Sequence, residues 1–412
     1  MFLVLIAPLQ ILSQGLIKPH EQKLILNMQS ESLPEKCVMH GSWCNVLLSG
    51  TQYIFNKEEI VVILYLLVLM CDSLLSFKST ILGTLGIYLL GMVQLAFKDG
   101  RPFWDKAEIT SNGHCKSSFG SPNESAFLMT FFYPYIMIQF LFKYAPRPPY
   151  FLNFIFMLLL IVLWGLVYFQ GLVNGTSYIY QCVIGQILGF IYLVGCMTFD
   201  EEIHKYCEKT GFVIRTSRSR KFYLFFFVLF LITLETILYM TQQNSWSMPQ
   251  DWIVNAYYHS PHCKTYFATQ TNYNLGLQST YTTSGGLYVL IGAIFGQTYT
   301  LEYVKPLLWI YTPFWKKLLR TIIAIIPVFV LLYFLSPLFG QMNVPANIYI
   351  LSSIVLNLAC SFFIFGLFPI FCWKIGLVIT EKEFQEKHPD FFRESPTEAE
   401  TKGKPTQDEE AF

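Results

Sequence analysis

The sequence predicts an all-α, polytopic membrane protein with about nine transmembrane helices. Two observations carry that expectation. Of 412 residues, 53% are hydrophobic and only 13% charged, about half the charge of an ordinary soluble domain. Apolar runs of about twenty residues also recur along the chain, and a helix rising about 1.5 Å per residue needs roughly that many to cross the hydrocarbon layer. Backbone groups in that layer must bond internally, so each run reads as a helix.

In chain order, the first run spans 60–77 and is almost unbroken apart from Asp72 and Ser73. The second covers 80–97 and the third 126–142. Runs at 150–169 and 177–199 follow, separated by a turn at Asn174-Gly-Thr176. A sixth occupies 222–240, and a seventh at 276–295 is rich in Thr, Ser and Gly. The last two lie at 320–339 and 348–373. Pro146-Arg-Pro-Pro149 and Pro306 stop helices at turns. Gly86, Gly91 and the Gly185-x-x-x-Gly189 pair allow helices to approach closely.

Lysine and arginine in the short loops set the orientation. The loop after the fifth run holds Lys205, Lys209, Arg215, Arg218, Arg220 and Lys221. Lys305, Lys316 and Lys317, with Arg320, follow the seventh, and Lys143 and Arg147 follow the third. With nine spans all three loops share one face, which is then cytosolic. The chain divides into a luminal N-terminal segment (1–58), a transmembrane core (59–241), a luminal loop (242–275), C-terminal transmembrane helices (276–374) and a cytosolic tail (375–412). That tail is too polar to bury a core and reads as largely disordered. Residues 1–17 are apolar without a basic start, which leaves a signal peptide and an interfacial helix as competing readings.

Cys37, Cys44, Cys115 and Cys263 fall in the luminal segments, where disulfides persist, and a Cys37–Cys44 bridge is one reading of their spacing. The glycosylation sequons Asn123-Glu-Ser125 and Asn174-Gly-Thr176 lie on the same face. His114-Cys115 and His259-Ser-Pro-His262-Cys263 lack a matching second cluster with zinc geometry, so they read as solvated loops and no metal is expected. The chain has no phosphate-binding loop, dinucleotide fingerprint or serine-hydrolase elbow, so no cofactor is expected. A net charge of +1 supplies no field for nucleic acid.

Three stretches carry the chemistry. Gln94-Leu-Ala-Phe-Lys98-Asp-Gly-Arg101-Pro102-Phe-Trp104 closes the second run, and Phe119-Gly-Ser-Pro122-Asn-Glu-Ser125 opens the third. Gln170-Gly171-Leu-Val-Asn-Gly-Thr-Ser177-Tyr-Ile-Tyr-Gln181 joins the fourth to the fifth. In order and spacing they resemble the motifs of the type-2 phosphatidic acid phosphatase superfamily, in its glucose-6-phosphatase-like branch, over about residues 60–194. The resemblance implies a six-helix phosphatase-like core in the endoplasmic reticulum membrane with a luminal site. There a histidine attacks phosphorus, a second histidine protonates the leaving oxygen, and a lysine and two arginines hold the phosphate.

Nearly every one of those positions is substituted. The lysine position is Gln94, the acid position Ser125, the third-motif arginine Gly171 and the nucleophile Ser177. Gln181 keeps the partner position but has no imidazole to orient, and no histidine lies between His114 and His204. Each lost charged hydrogen bond removes about 1.5–3 kcal/mol, and Glu124 adds an anion where a phosphate would sit. No catalytic set is intact, which reads as a pseudophosphatase. Arg101, Lys98 and Asn123 remain as ligand-binding candidates, although Arg101 also reads as a chain snorkelling beside Trp104.

Asp72 and Glu235 are intramembrane acids, and Gln181 and Gln186 are polar contacts between helices. The expected role is binding or scaffolding among membrane lipids, for an anionic lipid, a phosphorylated ligand or a membrane protein partner. Two alternatives stand beside it. One is an active phosphatase that recruits a residue outside the motifs, such as His114. The other is a transporter lined by Asp72, Glu235 and the seventh run.

Overall fold

A computed structural model of the chain describes residues 7–30, 73–144, 150–260, 275–329 and 346–387, with short breaks inside these stretches, and Cys263. Among the described residues every regular element is a helix. A π-helical turn, Ser13–Ile17, leads into α1 (Lys18–Ser30). The next elements are α2 (Ser73–Phe97), the single turn α3 (Pro102–Asp105), α4 (Glu124–Tyr144), α5 (Tyr150–Val173) and α6 (Ile179–Thr198). Then come α7 (Asp200–Gly211), α8 (Ile214–Ser245), α9 (Gln250–His259), α10 (Leu275–Ser284) and α11 (Gly286–Thr300). The chain continues with α12 (Pro306–Ile310), α13 (Phe314–Phe329) and α14 (Ala346–Phe362). A π-turn, Phe363–Leu367, joins α14 to α15 (Phe368–Lys374), and α16 is Glu381–Lys387.

Among the described residues five helical stretches are long and apolar enough to cross a membrane: Leu74–Asp105, Asn153–Val173, Ile179–Thr198, Phe222–Ser245 and Ile350–Lys374. The protein is therefore an all-helical, multi-pass chain suited to a bilayer. Most of the first expected run and the second half of the eighth lie outside the described residues, as do Asp72, His114, Cys37 and Cys44. The seventh run forms two helices, α10 and α11. The sixth extends past its apolar part in both directions, because α8 starts eight residues before Phe222.

Short connections bring the C-terminal ends of α2 and α5 and the N-terminal ends of α4 and α6 to one end of the bundle. Close contact between α4 and α6 holds this arrangement. A Cβ at Gly185 would lie 2.4 Å from Asn123 O, and one at Gly189 would lie 2.7 Å from Phe127 O. Only glycine leaves room for the two backbones to touch there. Around this seam Phe119, Phe127, Phe131, Tyr178 and Leu188 form a buried core. The outer face of α5, with Phe151, Phe154 and Ile161, is exposed and suited to lipid. Two further devices close the motif-bearing end. Asn255 of α9 donates to Trp104 O at 2.8 Å, and a disulfide joins Cys115 to Cys263 across 148 residues. At the other end a buried Lys78 pairs with Asp200 at 2.6 Å.

Candidate functional site

The structure brings the motif positions together. Asn123 caps α4, its side-chain oxygen accepting the Ala126 amide at 2.9 Å, as an N-cap residue does. Its amide nitrogen donates to Ser177 Oγ at 2.5 Å. Gly171 lies against the same serine, where a Cβ would be 3.2 Å from Ser177 Cβ. Gln181 joins three segments: it accepts from the Tyr178 amide at 3.1 Å and donates to Asp99 and to Gly100 O, each at 2.8 Å. Gln94 reaches across to Pro122 O at 2.8 Å. Ser125 sits at the edge, 3.4 Å from the Lys116 ammonium.

Arg101 is 1% exposed, and its guanidinium is bonded to the protein itself. Nε donates to Ser118 O at 2.7 Å and Nη1 to Thr176 O at 2.9 Å. Nη2 donates to Ser118 Oγ at 2.9 Å and Phe119 O at 3.1 Å. These bonds use most of the five donors of the group. Arg101 thus ties the loop before α4 to the turn before α6 and does not snorkel toward a surface. Lys98 points elsewhere. It ends α2 in the left-handed region, with φ 49°, and its ammonium bonds Gln242 of α8 at 2.5 Å and lies 5.5 Å from the Trp246 ring.

The N-terminal segment closes the cluster. Gln10 donates to Asp99 at 3.0 Å and accepts from Ser121 Oγ at 2.6 Å. Gln14 donates to the second Asp99 oxygen at 2.9 Å. Lys18 pairs with Asp105 at 2.8 Å and lies 5.4 Å from the Tyr178 ring. Gln22 donates to the Tyr178 hydroxyl at 3.0 Å, and that hydroxyl donates to Asp105 at 3.0 Å. Glu21 accepts the amides of Ile179 and Tyr180 at 2.7 and 3.2 Å, placing a carboxyl at the positive end of α6. Burial pushes the Glu21 carboxyl up to about 7, against the lowering effect of those two amides. Burial likewise raises the Tyr178 phenol, with Asp105 adding to the rise.

Asp99, Asp105, Tyr178 and Tyr180 were not among the sequence candidates, nor was the docking of residues 10–22. Asp99 also accepts the Tyr180 hydroxyl at 2.7 Å, so four neutral donors and Lys18 converge on one carboxylate. A signal was present in the sequence. Gln10, Gln14, Lys18 and Gln22 recur every fourth residue, which on a helix is one polar stripe.

Both sequon asparagines are 5% exposed, and Asn123 is engaged by its cap and by Ser177. That burial weighs against a glycan at either sequon. Among the described residues no group of three His, Cys, Asp or Glu is placed to hold a metal ion. Comparison with protein families, with curated proteins and with solved structures finds no match.

Proposed function

We propose that the chain is a catalytically degenerate member of the type-2 phosphatidic acid phosphatase superfamily that acts by binding or scaffolding. In this reading it has about nine spans, a six-helix core, a luminal motif-bearing end and a cytosolic C-terminus in the endoplasmic reticulum membrane. One observation carries it: the motif positions meet in a buried knot whose polar groups bond to one another. Ser177, where a nucleophilic histidine would stand, accepts from Asn123, and the retained Arg101 is spent on Ser118, Thr176 and Phe119. A serine held by an amide has no base to remove its proton.

The Cys115–Cys263 disulfide at this end supports a luminal placement. The basic run of 205–221 at the far end supports a cytosolic one there. An anion entering the knot would meet Asp99, Asp105 and Glu124, so a partner in the membrane fits this end better than a phosphorylated ligand.

Phosphatase activity of the purified full chain tests the reading, with phosphatidate, a sphingoid phosphate and a sugar phosphate as substrates. The expected result is no turnover above Ser177→Ala and Arg101→Ala controls. Turnover that either substitution abolishes would overturn it and point to a substitute nucleophile.

A further inference from the structure

At the motif-bearing end the bundle builds a frame for a cation. Asp99 follows α2, and its carboxylate accepts the Tyr180 hydroxyl and the Gln181 amide at 2.7 and 2.8 Å. Asp105 ends α3; its own amide donates to Arg101 O at 3.1 Å, and its carboxylate accepts the Tyr178 hydroxyl at 3.0 Å. Tyr178 and Tyr180, both buried, stack with ring centroids 5.4 Å apart and planes 15° from parallel. Each of these bonds lies within the bundle, so none of the four side chains needs Lys18 to hold its place.

The Lys18 ammonium enters this frame from a separate segment. It lies 2.8 Å from Asp105 Oδ2, 3.8 Å from Asp99 Oδ1 and 5.4 Å from the centre of the Tyr178 ring. Two carboxylates, with side chains only 2% and 9% exposed, thus share one ammonium, and a buried carboxylate without a counter-charge is costly. The Lys18 side chain is 19% exposed, so the seat has a mouth. Around it Gln10, Gln14, Glu21 and Gln22 fasten the segment to the bundle through bonds of their own. Shortening Lys18 would therefore empty the seat and leave its walls standing.

The contacts select a chemical class. A primary ammonium is a compact charge with three donors; Asp105 takes a donor at hydrogen-bond distance, and the Tyr178 face attracts the charge. A quaternary ammonium has no donor for Asp105, and a neutral alcohol leaves both carboxylates without a cation. Leu16 and Ile17, both exposed, immediately precede Lys18 and suit an amine carried on an alkyl chain. We propose that this seat is a binding site for a primary alkylammonium, which Lys18 occupies in the resting chain. Free amines and aminophospholipid headgroups share that chemistry. The assignment does not depend on the phosphatase resemblance, and its test reads binding and not turnover.

Chemical rescue of the full chain tests it. Lys18→Ala removes the atoms of n-propylammonium and should lower the melting temperature in detergent. n-Propylammonium at about ten times its dissociation constant should return about 3 °C of that loss. n-Propanol and tetramethylammonium at the same concentration should return none, and Lys18→Ala/Asp105→Asn should not respond to the amine. No response of Lys18→Ala to the amine would overturn the proposal. So would equal rescue by n-propanol, which needs only a cavity, or rescue that survives Asp105→Asn. Vesicles separate the two sources. A higher melting temperature of Lys18→Ala in phosphatidylethanolamine than in phosphatidylcholine, with no amine added, assigns the headgroup, whereas rescue by n-propylammonium alone assigns a free amine. Should Lys18→Ala fail to fold unaided, its yield of monodisperse protein purified with n-propylammonium against n-propanol decides instead: a higher yield with the amine supports the seat, and equal yields overturn it.

Discussion

Replacing Arg101 with alanine separates a structural strut from a ligand-binding arginine. The guanidinium holds Ser118 O, Thr176 O, Phe119 O and Ser118 Oγ within 2.7–3.1 Å in a site 1% exposed. Phe119 O keeps a long contact to Gln94 at 3.4 Å, so the main loss falls on the carbonyls of Ser118 and Thr176. Each buried acceptor left unmade costs about 1–3 kcal/mol, and the emptied side-chain volume adds to that. A loss of about 3–5 kcal/mol follows, at the upper end of what single substitutions do.

At about 2 °C per kcal/mol for a chain of this size, the melting temperature should fall by roughly 6–10 °C. The assay is thermal unfolding in detergent followed by tryptophan fluorescence. Trp104 and Trp252, whose rings lie 5.7 Å apart beside the knot, report locally. Arg101→Lys should fall between the two, because an ammonium cannot reproduce the planar fork. An Arg101→Ala protein that melts within about 1 °C of the original, well under the cost of one unmade buried bond, would refute the strut. The side chain would then be available to a ligand.

Three further outcomes are expected. The Glu21 carboxyl sits near 7 in the folded chain against its ordinary 4.5, so its protonated form favours docking. That contribution is fully present below about 4.5 and is lost as pH rises through about 7. Limited proteolysis of the N-terminal segment should therefore quicken between pH 5 and pH 8, a trend that Glu21→Gln should flatten. Reducing Cys115–Cys263 opens a loop of 148 residues, at a cost of about 2–5 kcal/mol. It should lower the melting temperature and make both thiols reactive to a maleimide counted by mass spectrometry. Gly185→Ala places a methyl 2.4 Å from Asn123 O and should reduce the yield of folded, monodisperse protein, whereas Gly195→Ala, with nothing within 4 Å, should leave it unchanged.

The helices were legible because an apolar run of span length has few other solutions. The convergence of Gln94, Arg101, Asn123, Ser177 and Gln181 was legible through motif order, since short turns force alternate helix ends to one side. Their chemistry was not. Nothing in Arg101-Pro102 tells whether the guanidinium faces a ligand or a carbonyl, because the carbonyls come from residues 17 and 75 positions away. The N-terminal stripe of Gln10, Gln14, Lys18 and Gln22 was visible as spacing, but its acceptors, Asp99 and Asp105, lie more than 80 residues on. The buried sequons show the same limit: a three-residue pattern carries no information on burial.

The residues at the knot make sense together. An arginine at position 171 would crowd Ser177, since even a Cβ there comes within 3.2 Å of its own. A lysine at position 94 could not donate to Pro122 O without burying a charge, and the Gln94 amide makes that bond neutrally at 2.8 Å. Beside them Asp99 gathers Gln10, Gln14, Tyr180 and Gln181 around its carboxylate. The polar end is thus a cradle for a cation, and it holds Lys18. Placing a single histidine or lysine in the knot would therefore leave its field unfavourable to phosphate.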